Sequence, residues 1–225
     1  MTTLRREILP PEQVRVWEKC SEPSRKWGAY LAGGTSVALY LGHRRSVDFD
    51  WFTPRTIPPT AVLADVQAMK VGPVEVLQNK EGTFLSNVAG VSFSLFRYPY
   101  PLLESPTDLD GSKLASLRDL AAMKMVAIHQ RGTKKDFIDV HELLVERVFT
   151  LPDMIEASRQ RYQLGDTSGI VRALTYFSDA DPMPMPVMLK PRTWDEVKAG
   201  MIHHVEMMTG QKLSSDKPRP RRGRR

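Results

Sequence analysis

The chain has 225 residues, 41% hydrophobic and 26% charged, the composition of an ordinary globular protein long enough to bury a core as one large domain or two small ones. It has no apolar run near the ~20 residues that span a bilayer, and its start, MTTLRREILPPEQ, lacks the apolar segment of a secretory signal, so the expectation is a cytoplasmic protein with no membrane partner. The formal net charge of +6 resides in the end KPRPRRGRR, which carries six cations and no anion; the rest is formally neutral, so net charge says little about what the body of the chain binds.

In chain order, Pro10 and Pro11 open a helix through Lys19, with proline where the first turn tolerates it, and Pro23 ends or bends it. Cys20, the single cysteine, excludes an intramolecular disulfide and a cysteine zinc site of the usual spacing, and reads as an inert thiol. Residues 27–32 read as a short buried strand running into Gly33 and Gly34. Thr35 is placed to cap a helix that buries Val37, Ala38 and Leu41 and stops at Gly42. A basic turn, His43-Arg44-Arg45, leads to 47–52, where alternation of period two predicts a strand with one acidic face.

A helix follows over 60–70, and then strands over 74–78, 83–88 and 91–98, joined by turn residues that predict antiparallel hairpins. After Pro99 and Pro101 the periodicity turns helical, over 117–130, 134–147, 152–162, 168–177 and 194–208. Residues 179–191 hold four prolines and read as an extended connection packing Met183 and Met185 on the body. The expectation is an α+β protein: a mixed sheet with helices over 1–105, a helical domain over 106–212 and a disordered basic tail over 213–225. The tail either adds sequence-blind attraction to nucleic acid through counterion release or is a solvated end without a dedicated partner.

The chemistry concentrates in LAGGTSVALYLGHRRSVDFDWF, residues 31–52. Asp48 and Asp50 are two apart on a strand, so both carboxylates share a face and can hold one or two Mg²⁺ (or Mn²⁺) ions, hard cations that share oxygen ligands with substrate phosphates. Gly33 and Gly34 let a phosphate approach the backbone, and Thr35 begins a helix whose amides and dipole favour an anion. Either half alone says little; strand, Gly-Gly-Thr, helix, turn and Asp-Phe-Asp together predict a site for a metal-bound nucleoside triphosphate. Arg44 and Arg45 stand in the turn where they could meet a phosphate or simply face solvent. Lys124 lies on a predicted helix from which it could reach a triphosphate. Asp136 and Asp139, three apart, share a helical face, and Asp136 could orient Lys124 or Arg131; a structural ion pair at a domain junction is the competing reading. The five histidines are too scattered to form a metal set.

These motifs resemble the nucleotidyltransferase superfamily with the DNA polymerase β-like fold and, within it, the AbiEii/AbiGii-type nucleotidyltransferase toxin family. The resemblance rests on the 31–52 stretch, on VSFSLFRYPYPLL as a later strand, and on the block from Asp119 through Lys124 to Asp139. It implies transfer of a nucleoside monophosphate from an NTP substrate to an acceptor, with RNA, and tRNA in particular, as the expected acceptor and an antitoxin protein as a partner. It further implies Asp48 and Asp50 as catalytic metal ligands, Gly33, Gly34, Thr35, Arg45 and Ser46 in nucleotide binding, and Lys124 and Asp136 as catalytic residues. One position departs from the superfamily pattern: a third carboxylate is expected on a neighbouring strand, where this chain has Ser94. Glu75 or Asp136 could replace it. The alternative is a catalytically degenerate nucleotide-binding or partner-binding module.

Overall fold

The computed structural model describes residues 4–212; the basic tail lies outside the described residues. At its centre is β2 (Asp48–Thr53), the middle strand of a seven-stranded sheet. On one side it pairs antiparallel with β1 (Tyr30–Ala32), setting Leu31 opposite Trp51 and Ala32 opposite Asp50. On the other it runs parallel to β5 (Val91–Arg97), setting Asp48 opposite Ser92 and Asp50 opposite Ser94. Beyond β5 the expected hairpins are present, β4 (Thr83–Val88) antiparallel to β5 and β3 (Val74–Lys80) at the edge.

The period-two alternation of β2 divides its residues between two environments. Phe49 and Trp51 are fully buried. Trp51 stacks on Trp17 with ring centroids 6.0 Å apart and also meets Phe93. Trp17 closes α1 (Pro11–Trp17), and Trp27 of α2 (Ser21–Trp27) meets Phe93 edge-on. Truncating Trp51 to alanine in such packing costs about 3–5 kcal/mol. Asp48, Asp50 and Phe52 point the other way, Phe52 toward Tyr30, Phe96 and Tyr98.

Helices α5 (Leu117–Gln130), α6 (Lys134–Val145), α7 (Leu151–Tyr162), α8 (Ser168–Ala173) and α9 (Trp194–Thr209) occupy the second half. Their starts are legible in the side chains. Ser116 Oγ accepts from Asp119 N at 3.0 Å to begin α5, and Thr150 with Asp153 and Thr193 with Glu196 form capping boxes on α7 and α9. None of the helices among the described residues is long and apolar enough to cross a membrane.

The structure corrects several expectations. Pro23 does not end the first helix; it sits in the first turn of α2, where its missing N–H costs nothing. Trp27 closes α2, the chain turns at Gly28 in the left-handed region (φ +62°), and β1 begins only at Tyr30. Thr35 does not cap the following helix: α3 (Gly33–Leu41) starts two residues earlier, and the Thr35 hydroxyl donates instead to the Asp48 carbonyl. The residue boundary expected at 105 falls before two further strands of the sheet, β6 (Thr107–Leu109) and β7 (Ser112–Leu114), with β7 parallel to β1. Three residues each, they are too short for periodicity to show. A single cluster of buried apolar side chains joins the sheet to the helices that follow it. Cys20 is buried in the turn between α1 and α2, its Sγ donating to Val16 O at 3.1 Å, and burial pushes its thiol pKa far up, as an inert thiol requires.

Candidate active site

Between β2 and the helices α5 and α6 lies a cavity of about 460 Å³, within the range of small-molecule sites. Asp48, Asp50 and Ser92 contribute from the sheet, Gly34 and Ser46 from the turn-and-helix side, and Lys124, Arg131 and Asp136 from the helical side. The local sequence explains the sheet half. Gly33 has φ +69°, and a Cβ there would stand 2.5 Å from Asp50 Oδ2; one on Gly34 would stand 2.5 Å from Arg44 Nη2. Only glycine lets the start of α3 press this closely on a carboxylate and a guanidinium. The Thr35 tie to the Asp48 carbonyl then fixes α3 to β2.

The helical half is a buried ion cluster. Lys124 Nζ donates to Asp136 Oδ1 at 2.9 Å and lies 2.7 Å from Asp139 Oδ2. Arg44 grips Asp139 with both arms of its guanidinium, Nε to Oδ1 at 2.7 Å and Nη2 to Oδ2 at 2.9 Å, and His43 Nε2 lies 2.8 Å from the same Oδ1. Asp136 also accepts from Arg131 Nε at 2.9 Å, Arg131 Nη2 at 3.1 Å and Thr133 Oγ1 at 2.7 Å. Burial alone would neutralise these groups. Arg44 and Lys124 nevertheless hold the Asp139 carboxyl well below the ordinary range, and Lys124 and Arg131 do the same for Asp136. Lys124 in turn stays charged, since Asp139 and Asp136 outweigh its desolvation. Asp50 behaves in the opposite way. Burial and then the neighbouring Asp48 raise its pKa, with Lys124, Arg131 and a hydrogen bond from Ser94 only partly opposing them.

A pair of hard oxygen donors on one strand face, one of them destabilised as an anion by burial and by the other, is what a divalent cation would relieve. Asp48 and Asp50 therefore fit Mg²⁺ or Mn²⁺. Among the described residues no set of three or more His, Cys, Asp or Glu side chains converges on a metal position.

Residues 18–212 match the family described as "Nucleotidyl transferase AbiEii toxin, Type IV TA system". The chain belongs to this family. It is 41% identical over 154 residues to protein aq_aa25 of Aquifex aeolicus (strain VF5), covering 67% of this chain and 74% of that protein. The structure of JHP933 from Helicobacter pylori superposes with a TM-score of 0.53 at 14% identity, covering 92% of this chain and 94% of the other. That of MenT4, the nucleotidyltransferase toxin Rv2826c from Mycobacterium tuberculosis H37Rv, does so at 0.54 and 14%, covering 92% and 88%. At such identities the likeness is one of fold, and the fold is that of the nucleotidyltransferases.

The AbiEii-type chain thus brings Asp48, Asp50, Gly34, Ser46, Lys124 and Asp136 to one cavity. It places Arg45 elsewhere: that side chain is exposed, its backbone N–H donates to Val187 O at 2.8 Å, and the buried arginine of the turn is Arg44. Thr35 and Gly33 support the cavity from behind rather than line it. Glu75 is exposed on the edge strand, in a row with Asn87, Ser92 and Asp48 but three strand spacings, roughly 14 Å, from Asp48. It cannot share a ligand with the aspartates. Asp136 lines the same cavity, but its oxygens are taken by Lys124, Arg131 and Thr133. Sequence reasoning left Arg44 undecided, missed His43, and took Met183 as packing on the body. Met183 and Pro184 in fact reach the cavity, while Met185 is exposed. Nothing local marks these positions, since they depend on where the proline-rich segment crosses the site.

Proposed function

We propose that this member of the AbiEii nucleotidyltransferase toxin family is a Mg²⁺-dependent enzyme that transfers a nucleoside monophosphate from an NTP to RNA in the cytoplasm, with tRNA the first acceptor to test and a cognate antitoxin protein as its partner. The observation that carries the reading is the pairing, across one cavity, of two carboxylates without salt bridges among the described residues with a cluster of cations held rigid from behind. An NTP needs both, an oxygen-rich position for its metal and positive charge for its phosphates.

In the reaction the acceptor hydroxyl attacks the α-phosphorus, the bond to the β-phosphate oxygen breaks, and pyrophosphate leaves. A divalent ion on Asp48 and Asp50 would stabilise charge on the transferred phosphoryl group and lower the pKa of the attacking hydroxyl. The chain's own groups position the substrate and offset its charge. The N–H groups of the first turn of α3 have no intrahelical partners and face an anion favourably. Arg131 and Lys135 reach the cavity from an exposed rim, where they can follow the phosphates. Asp136 and Asp139 act as positioning residues that keep Lys124 and Arg44 aimed and charged.

Incubation with tRNA, Mg²⁺ and each α-labelled NTP should transfer label in the native protein and not in Asp48→Ala. Absence of transfer to tRNA or to total RNA by the native protein would sink the proposal. A second reading is favoured by Ser94, which lies opposite Asp50 where a third carboxylate is expected. A degenerate nucleotide-binding or partner-binding module would bind NTP in calorimetry yet turn over none.

A further inference from the structure

The cavity lining divides by chemistry. Nearly every side chain in it is charged or carries a hydroxyl; the apolar exceptions are Met183 and Pro184, adjacent in the proline-rich segment before α9. A nucleoside triphosphate divides in the same way, into a polyanion and a base with two apolar faces. We propose that this segment is the wall of the nucleobase subsite, with Met183 as the side chain that packs on the base. The inference rests on the reading of the cavity as an NTP site.

The segment is built to hold that position. It is not extended throughout: Pro182 lies in a turn that Met183 N closes by donating to Ala180 O at 3.0 Å, and Pro184 and Pro186 beyond it bring no N–H groups that would need partners. At one end Lys134 Nζ donates to the Asp181 carbonyl at 3.2 Å, and Trp194 Nε1 donates to the Asp181 carboxylate at 2.7 Å. At the other, Arg45 N donates to Val187 O at 2.8 Å, and Leu189 N and Lys190 N both donate to His43 O, at 2.8 and 3.0 Å. One anchor is thus the first residue of α6 and the other is the basic turn ahead of β2. Met183 and Pro184 are suspended between them, over the same cavity that Lys124 and Asp48 line. Met183 is only partly buried and is one of the residues that line the cavity. A flexible, polarizable thioether packs on any aromatic face and offers no directed donor, so the wall grips a base without choosing among bases.

The test separates base from phosphates and needs no acceptor. Calorimetric titrations with ATP, CTP, GTP and UTP, and with tripolyphosphate, all in Mg²⁺, are run on the native chain, Met183→Ala and Met183→Leu. Met183→Ala should weaken every NTP that the native chain binds by about tenfold and leave tripolyphosphate unchanged, while Met183→Leu, of similar volume, restores NTP binding. If Met183→Ala leaves NTP binding intact, the wall is elsewhere. If NTP and tripolyphosphate weaken together, Met183 acts through the fold and the proposal fails. Should the native chain bind neither ligand, the reading of the cavity itself fails and the wall with it.

Discussion

Two buried aspartate–arginine clusters can be compared among the described residues, and the second lines the cavity between β2 and the helices α5 and α6. In the first, Arg161 of α7 pairs with Asp119 and donates to the Pro101 carbonyl at 3.1 Å and the Tyr30 hydroxyl at 2.9 Å, between the rings of Tyr98 and Tyr162. Asp119 also accepts from Leu103 N at 2.8 Å and Ser116 Oγ at 2.7 Å. Every strong acceptor position is used, and the cluster ties the loop after β5 to α5, α7 and β1. In the second, Asp136 and Asp139 are equally buried and equally saturated, but they hold three cations, Arg44, Lys124 and Arg131, and all three line open space opposite two more carboxylates. Burial and pairing are common to both. What distinguishes a site is charge that its own partners do not cancel, turned toward a volume that a ligand can fill.

The sharpest way to break that distinction is at the unpaired carboxylates. Asp48→Ala should lower label transfer by about 10³-fold, with a melting temperature within a few degrees of native, since no salt bridge is lost. A large loss of stability instead would make Asp48 structural. Next come Asp119→Ala and Asp139→Ala, each of which strips the carboxylate from a buried cation and should cost about 3–5 kcal/mol in denaturant unfolding. Their activities should differ. Transfer per folded molecule, assayed at low temperature, stays native in Asp119→Ala and falls at least about tenfold in Asp139→Ala, where Arg44 and Lys124 lose their aim. Equal activities in the two variants would erase the contrast between the clusters.

The same contrast shows what was legible in the sequence. Asp48, Asp50 and the two glycines that open α3 stand close together in the chain, and local geometry, strand alternation and a glycine turn, places them. Lys124, Asp136 and Asp139 were visible as a helical face with a nearby lysine, although their meeting across the fold with His43 and Arg44 was not. That meeting depends on the packing of α6 against α3 and on the crossing of residues 187–190 over the basic turn, long-range events with no local signature. Arg45 was preferred for nucleotide binding because adjacent arginines in a turn look alike until one is buried. The short strands β6 and β7 escaped for a related reason, since three residues cannot display a period and their place beside β1 is set by tertiary pairing.

A smaller effect is expected at Gly33. Alanine there would be strained at φ +69° and would push on Asp50 Oδ2, costing about 1–2 kcal/mol in stability. Transfer activity should fall more than stability does, because the carboxylate moves; Gly28→Ala, at a similar φ but away from the cavity, should lose stability alone. Matched losses of activity in both variants would remove the special place given to the start of α3.

The smallest effect is the response of stability to acid, and its sign differs within the site. Asp136 and Asp139 have carboxyl pKa values held below the ordinary range, so on acidification the unfolded chain binds their protons first. Their stabilisation is complete above about pH 4 and drains away as pH falls toward their folded-state values. Asp50 is raised, so the folded chain binds its proton first, and that carboxyl returns stability as pH falls toward about 4 from above. Melting temperature should therefore change little between pH 7 and 5 on account of Asp136 and Asp139 and drop below about pH 4. Asp50→Asn should remove the opposing gain, and Asp139→Asn should flatten the drop. A drop as steep in Asp139→Asn as in the native chain would mean that the ion cluster is not what holds the α5 and α6 wall of the cavity in place.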